Sequence, residues 1–346
     1  RNMSAIGGSS YNPIKCDSYF YGIVNINISG GTVSQTIYGA GAGGVSGYST
    51  NSTDAYKSYG QNIDTVININ ITGGLIDADI YGGGYGYTNY LTADSTQTDG
   101  GTLYGNSNIN ISGSPTINGS IYGAGMGLTN YENMAKFTGT TNININTDLS
   151  INAYGGGNIA KTIGTANINI NSGTHTQSIF GGGNVGVLEG TSNVQINGGI
   201  SSQVYGGGNQ ASIRTDTNVD ILGGNVVGNV YGGGNEGTVI GNTYVHVKNA
   251  NVQSSVYAGG NGITAIVYQN ANATVEGTST KITGSVFGGG NQAATGTIDN
   301  NNSLSKVNIV GASIGKNVYG GANTSVVYGN TLTNIGYEAV GDTTLE

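Results

Sequence analysis

The stretch Val194-Gln-Ile-Asn-Gly-Gly-Ile-Ser-Ser-Gln-Val-Tyr-Gly-Gly-Gly-Asn-Gln-Ala-Ser-Ile213 decides the fold. Val194-Gln-Ile196 alternates apolar and polar residues, the period-2 signature of a strand with one buried face. Tyr205-Gly-Gly-Gly-Asn209 joins an aromatic residue to a glycine run and an amide. Ser212-Ile213 adds a looser apolar stretch. No segment of it carries a helical period or a helix-capping signal.

The aromatic-glycine element recurs along the chain. Its copies are Tyr38-Gly-Ala-Gly41, Tyr81-Gly-Gly-Gly84, Tyr122-Gly-Ala-Gly125, Tyr154-Gly-Gly-Gly-Asn158, Phe180-Gly-Gly-Gly-Asn184, Tyr205-Gly-Gly-Gly-Asn209, Tyr231-Gly-Gly-Gly-Asn235, Tyr257-Ala-Gly-Gly-Asn261, Phe287-Gly-Gly-Gly-Asn291 and Tyr319-Gly-Gly-Ala-Asn323. The intervals between consecutive aromatic residues are 43, 41, 32, 26, 25, 26, 26, 30 and 32. A period near 26 is thus interrupted by insertions, chiefly in the first coils. Upstream of the aromatics stand Val24-Asn-Ile-Asn-Ile28, Ile67-Asn-Ile-Asn-Ile71, Ile143-Asn-Ile145, Ile168-Asn-Ile170, Val219-Asp-Ile221, Val245-His-Val247 and Val307-Asn-Ile309. Downstream stand Thr162-Ile163, Val187-Leu188, Thr238-Val-Ile240, Ala265-Ile-Val267 and Val326-Val327, read as a third strand placed after the glycines.

A unit of three short strands cannot bury its apolar face alone, but stacked units place Val on Ile on Val and pair their backbones at about 4.8 Å. The predicted fold is all-β: a single-stranded parallel β-helix (β-solenoid) of about ten three-strand coils, with loop insertions in the N-terminal coils. It forms one continuous domain over 1–346, with long insertions in 1–141 and regular coils in 142–346. Glycine suits corners that need φ > 0 or close backbone approach. Two structural ladders are expected, one of rings (Tyr154, Phe180, Tyr205, Tyr231, Tyr257, Phe287, Tyr319) and one of amides (Asn158, Asn184, Asn209, Asn235, Asn261, Asn291, Asn323). Ile6-Gly-Gly-Ser9 reads as a degenerate anchor, and Leu332-Thr-Asn-Ile335 as a weak final strand. Neither end shows a capping helix, so the chain is expected to be a segment of, or a subunit in, a longer assembly.

Composition narrows the function. Among 346 residues there are 65 glycines, 2 prolines and no tryptophan, and only 8% are charged. β-Branched residues are too frequent for disorder, and proline too scarce for collagen. A net charge of −8 leaves no basic stripe for nucleic acid, and no run of eighteen apolar residues offers a membrane span. Cys16, the sole cysteine, excludes an internal disulfide, and an inert thiol is its plain reading.

Reactive clusters are not evident. The corners place neutral Asn where a calcium site needs carboxylates, and the glycine runs do not open a helix as a phosphate cradle would. Asp77 and Asp79 read as a solvated pair, and His175 and His246 as exposed surface residues without a nucleophile or metal partner nearby. No cofactor or metal is expected.

Two surfaces remain. One is the array of polar positions on the alternating strands: Asn25 and Asn27, Asn68 and Asn70, Asn108 and Asn110, Asn142 and Asn144, Asn167 and Asn169, Asn193 and Gln195, Asn218 and Asp220, then Tyr244 and His246. It reads as a self-satisfied amide ladder, or as a lattice for ice, a glycan or a neighbouring filament. The other is an edge built by the insertions, whose Tyr48, Tyr56, Tyr59, Tyr85, Tyr87, Tyr90 and Tyr131 are candidate ligand-binding residues, with Tyr104 and Phe137 read as part of the same loops. They either stack on sugars or a protein partner or fold down as a local core.

In repeat style, the Val-Asn-Ile strands and aromatic-Gly-Gly-Gly-Asn corners resemble the repetitive parallel β-helix regions of bacterial surface proteins and adhesins, from about Val24 to Ile335. The resemblance implies a secreted or cell-wall-attached stalk. The expected role is a non-catalytic extracellular structural or adhesive shaft or filament subunit. Its partners would be itself, or a cell-surface glycan or protein bound at the Tyr-rich edge. The alternatives are a polysaccharide-processing enzyme on the same fold and an ice- or crystal-surface binder using the Asn face.

Overall fold

A computed structural model describes residues 19–20, 22–41, 45–46, 65–86, 101–129, 131, 134–299 and 301–336. Those residues form a parallel β-solenoid without a helix. The alternating segments become the long strands, among them Ile23–Val33, Thr65–Ile76, Leu103–Ile111, Phe137–Asn146, Thr162–Ser172, Ser192–Ile196, Thr217–Ile221 and Thr243–Lys248. Ala271–Glu276, Leu304–Val310 and Asn330–Gly336 complete the series. They stack in parallel as the spine of a 15-stranded sheet.

Register follows the repeat. Ile28, Ile71, Ile111, Ile145, Ile170, Ile196, Ile221, Val247, Val275, Ile309 and Ile335 occupy one column. The interior members are buried, because every second side chain of these strands turns inward. A one-residue slip would turn this aliphatic set outward, so the pattern itself enforces the register.

The residue two places before each Val/Ile pair is small and often hydroxylated, and it also points inward. Thr141, Thr217 and Thr243 each donate from Oγ1 to a corner carbonyl of their own coil, Gly155, Gly232 and Ala258, at 2.6 Å. Ser192 makes the same contact with Gly206. These bonds tie the start of the long strand to the glycine corner across the interior, satisfying polar groups that burial would otherwise penalise.

The aromatic anchors lie on a ten-stranded sheet of residue pairs running from Ile37–Tyr38 to Val318–Tyr319. In each pair the aliphatic residue enters the main core while the aromatic faces the opposite way into a second cluster. A third sheet differs from the expected placement. It comprises Thr174–His175, Ile200–Ser201, Asn225–Val226, Asn251–Val252, Lys281–Ile282 and Ser313–Ile314, between the long strand and the anchor. The apolar stretches after the glycines instead form single-residue bridges through Leu188, Ile213, Val239, Val267, Thr295 and Val327. Leu188, Ile213, Val239 and Val267 fill a small core of their own with Ala166. Thr162 and Ile163 instead open the long strand Thr162–Ser172 and pair with Leu188 and Glu189, and in the later coils one residue per corner is left in pairing geometry.

The corner glycines are required by close approach. No positive φ occurs at Gly206, Gly207 or Gly208. A Cβ on Gly208 would stand 2.6 Å from the Gly183 carbonyl oxygen of the preceding coil and 2.7 Å from that of Ala211. At Gly321, in the last coil, a Cβ would meet nothing within 4 Å. Gly208→Ala is therefore expected to destabilise by about 1–3 kcal/mol, through forced backbone displacement. Gly321→Ala should stay within about 0.5 kcal/mol of the parent, as exposed substitutions do. Equal midpoints for the two variants in urea denaturation would refute this account of the corner.

Candidate functional site

Both expected ladders are continuous. Ring centroids from Tyr38 through Tyr81, Tyr122, Tyr154, Phe180, Tyr205, Tyr231, Tyr257 and Phe287 to Tyr319 are 4.7–5.2 Å apart, with interplanar angles of 4–12°. Burial pushes the Tyr38 and Tyr205 hydroxyls up to about 12, so these phenols remain neutral. The Tyr205 hydroxyl donates to Gln203 Oε1 at 2.5 Å, and Asn229 donates to the Tyr231 hydroxyl at 3.0 Å.

Beside the rings, each corner amide donates to the oxygen of the one before it at 2.8–3.0 Å, from Asn184 on Asn158 to Asn323 on Asn291. Asn158 heads the row by donating to the Tyr81 hydroxyl at 3.1 Å. Every interior amide has a donor and an acceptor partner. This row holds coils together and leaves little for a ligand.

The outward face of the long strands carries two further long amide columns, beside a short one of Asn146, Asn171 and Asn197. One runs Asn25, Asn68, Asn108, Asn142, Asn167, Asn193, Asn218, and the other Asn27, Asn70, Asn110, Asn144, Asn169, with links of 2.8–2.9 Å. Both stop near the middle of the chain. Gln195 Nε2 turns aside to Asn197 Oδ1 at 2.7 Å, and the next position after Asn218 is Tyr244.

A charged group follows the break. Parallel register sets Asp220, His246 and Thr274 in one column, with Lys248 beside Glu276 in another. His246 Nδ1 lies 3.3 Å from Asp220 Oδ1, and its Nε2 lies 3.2 Å from Glu276 Oε1, which also receives Lys248 Nζ at 2.7 Å. The Lys248 hydrogen bond, followed by that of His246, holds the Glu276 carboxyl below its ordinary range against the opposing effect of burial. Asn142, Asn167, Asn169, Asn193, Gln195, Asn218, Asp220, Tyr244 and His246 line an open groove of about 500 Å³ along the axis.

The candidate tyrosines of the insertions are not brought together among the described residues. Tyr85 packs against Tyr38, with ring centroids 5.3 Å apart, and so extends the ring column sideways. Tyr131 is half-buried in a tight turn with Leu128. Tyr104 and Phe137 belong to long strands rather than loops; Phe137 is fully buried in the core, and Lys136 Nζ lies 5.9 Å from the Tyr104 ring centroid. Tyr48, Tyr56, Tyr59, Tyr87 and Tyr90 lie outside the described residues, as do Cys16 and the segment Ile6-Gly-Gly-Ser9.

Asp77 and Asp79 serve the next coil. Asp77 Oδ1 accepts from Asn118 Nδ2, and Asp79 Oδ1 from the Ser120 amide, each at 2.7 Å, while the Tyr81 hydroxyl donates to Asp79 Oδ2 at 3.1 Å. Among the described residues no group of three or more His, Cys, Asp and Glu is placed to hold a metal ion. The chain matches no family model, no curated protein and no solved structure.

His175 corrects the expectation of a surface residue. It is only 4% exposed, because its column continues Leu149, His175, Ser201 and Val226, an inward position of the third sheet. That sheet was not foreseen, and with it the burial was missed. Its Nε2 lies 3.0 Å from the Ser172 carbonyl oxygen. Burial lowers the imidazole pKa below its ordinary 6.5, the Ser172 bond opposing in part. The unfolded chain therefore binds the proton more tightly than the folded one, and stability falls as pH drops through 6.5 and is restored above it. His175→Leu should flatten this slope. Thermal midpoints at pH 5.5 and 7.5 should differ more for the parent than for the variant, and equal differences would show that His175 is not the group responsible.

Proposed function

We propose that the chain is a non-catalytic extracellular shaft, a structural or adhesive β-solenoid of the kind found in bacterial surface proteins. The observation that carries this reading is the unbroken column of ten stacked rings running beside the corner amides. Such columns add about 0.5–1.5 kcal/mol per ring pair beyond burial. Their partners lie above and below, so they reinforce the axis. An axially reinforced rod suits a stalk that bears load between an anchor and a tip.

End-to-end association of copies belongs to the same reading. At one end of the described residues Tyr319, Leu332 and Ile335 are exposed, and Asn323 and Asn334 each donate inward along their columns. At the other end of the described residues Asn25 and Asn27 accept from Asn68 and Asn70. Asn27 and Asn334 lie in one register column whose amide bonds run in the same sense, so copies would meet head to tail. Adhesion in this reading belongs to the Tyr-rich insertions of the first coils.

A polysaccharide-processing activity is the competing reading, since Asp220 and Glu276 share the open face with His246. Against it, both carboxylates are already engaged, by His246 and by Lys248. Electron microscopy of the native material, with antibody labelling, should place the chain in rods or fibres longer than the roughly 50 Å that ten coils span at strand spacing. Isolated particles of that length or less, together with release of reducing ends from a glycan panel, would replace the shaft with the enzyme.

A further inference from the structure

We propose that the groove on the open face binds a neutral, hydroxyl-rich oligosaccharide lying along the solenoid axis, with Tyr244 as its stacking platform. This goes beyond the shaft reading and does not rest on it.

The argument starts from hydrogen-bond bookkeeping at the break in the amide columns. Within an unbroken column each amide gives one hydrogen bond to the coil before and receives one from the coil after, so no capacity is left along the row. Asn169 donates to Asn144, but Gln195 turns away to Asn197, and Asn169 Oδ1 receives nothing from the next coil. Asn218 donates to Asn193, but Tyr244 follows it, so Asn218 Oδ1 is open as well. Gln195 Oε1 and the second carboxylate oxygen of Asp220 have no protein partner among the described residues. On the far side of the break Asn272 Nδ2 gives one of its two hydrogens to the Thr243 carbonyl at 3.3 Å and not to the column. Each lining amide keeps one further N–H facing solvent, and at the break the unreceived oxygens of Asn169 and Asn218 with Gln195 Oε1 and Asp220 tip the balance toward acceptors.

An acceptor-rich groove selects a ligand that is rich in donors. A carboxylated or sulfated glycan is disfavoured by Asp220 and Glu276, whereas a neutral sugar offers hydroxyl hydrogens without charge repulsion. A polypeptide is disfavoured because the groove lies on the face of the sheet, where the backbone is already paired and no strand can be added. Tyr244 is 41% exposed, its hydroxyl has no partner among the described residues, and it stands where the amide column ends. An apolar ring face beside a few convergent polar groups is the usual composition of a small-ligand site. The lining residues span five consecutive coils from Asn142 to His246, on the order of 20 Å at strand spacing, which suits a chain of several sugar rings.

The test uses the full chain and a panel of tetra- to hexasaccharides of glucose, N-acetylglucosamine, mannose, galactose and xylose, with oligogalacturonate and an unrelated decapeptide as counter-probes. Saturation-transfer NMR identifies binders and calorimetry measures them. At least one neutral member should bind saturably. Tyr244→Ala should weaken it by about tenfold or more, the loss usual for an aromatic anchor. Gln195→Ala should weaken it by about 3–10-fold, the worth of one hydrogen bond. Tyr328→Ala, remote from the groove but also exposed, should leave binding unchanged. The thermal midpoints of all three variants should stay close to the parent's, since Tyr244 and Tyr328 belong to no ladder and Gln195 contributes one exposed hydrogen bond, to Asn197. The proposal is overturned if no neutral member binds, if only oligogalacturonate or the peptide binds, or if Tyr244→Ala binds as the parent does. Those results would leave the rod seen by microscopy untouched.

Discussion

Backbone hydrogen bonding along the axis is the constraint from which the rest of the molecule follows. Each coil donates to and accepts from its neighbours, as in the bonds from Gly181 N to the Tyr205 oxygen and from Gly206 N to the Tyr231 oxygen, both 2.9 Å. This fixes the coil spacing at the strand–strand distance of about 4.8 Å. Every side chain then meets its counterpart one coil away at nearly that distance. Ring separations of 4.7–5.0 Å within the interior of the column are the backbone spacing repeated by side chains. The same spacing is short enough for one amide to reach the next. It also leaves no room for a Cβ where a corner carbonyl already stands over a glycine. Rings, amides and glycines are three responses to one distance.

That common cause explains which features were legible in the sequence. Residues answering to the axial spacing recur in register, so the anchors from Tyr38 to Tyr319 and the amides from Asn158 to Asn323 stand out at a period near 26. The long strands were legible for a second reason, their alternation. The third sheet was not, because each of its strands is two residues long and its inward column runs His175, Ser201, Val226, Val252, Ile282, Ile314. Neither hydropathy nor residue type marks that column. Its two polar members hid it, and the burial of His175 was lost with it. The Thr141, Thr217 and Thr243 ties were equally silent, since a hydroxyl at the start of a strand is unremarkable until the fold lays a corner carbonyl opposite. At the candidate site the drift to Tyr244 and His246 was visible, but not that Gln195 would turn aside. Nor was it visible that Glu276 would reach His246, since that contact needs a register carried across a longer coil.

The interior is less uniform than the period suggests. Ser107, Ser305 and Ser201 bury hydroxyls that find no partner within the protein, although Thr141 and Thr243 at equivalents of the first two positions do. An unsatisfied buried hydroxyl costs about 1–3 kcal/mol. A solenoid tolerates such sites because its stability is close to a sum over coils and interfaces, so a weak coil is held by strong neighbours. Sequence drift is accordingly permitted wherever the columns on either side remain intact.

The same tolerance lets a site arise on a shaft. A polar column of identical amides has a direction, every axial donor pointing toward one end, and its interior members are paired on both sides along the row. Replacing one member changes the balance abruptly: the amide before the replacement keeps its acceptor, and the one after keeps its donor. On the open face the two columns change two coils apart, at Gln195 and at Tyr244, so the orphaned oxygens of Asn169 and Asn218 both line the same groove. The corner column is uninterrupted from Asn158 to Asn323 and offers no such group. A functional groove and a structural ladder can therefore be made from the same residue on the same rod, and continuity of the column separates them.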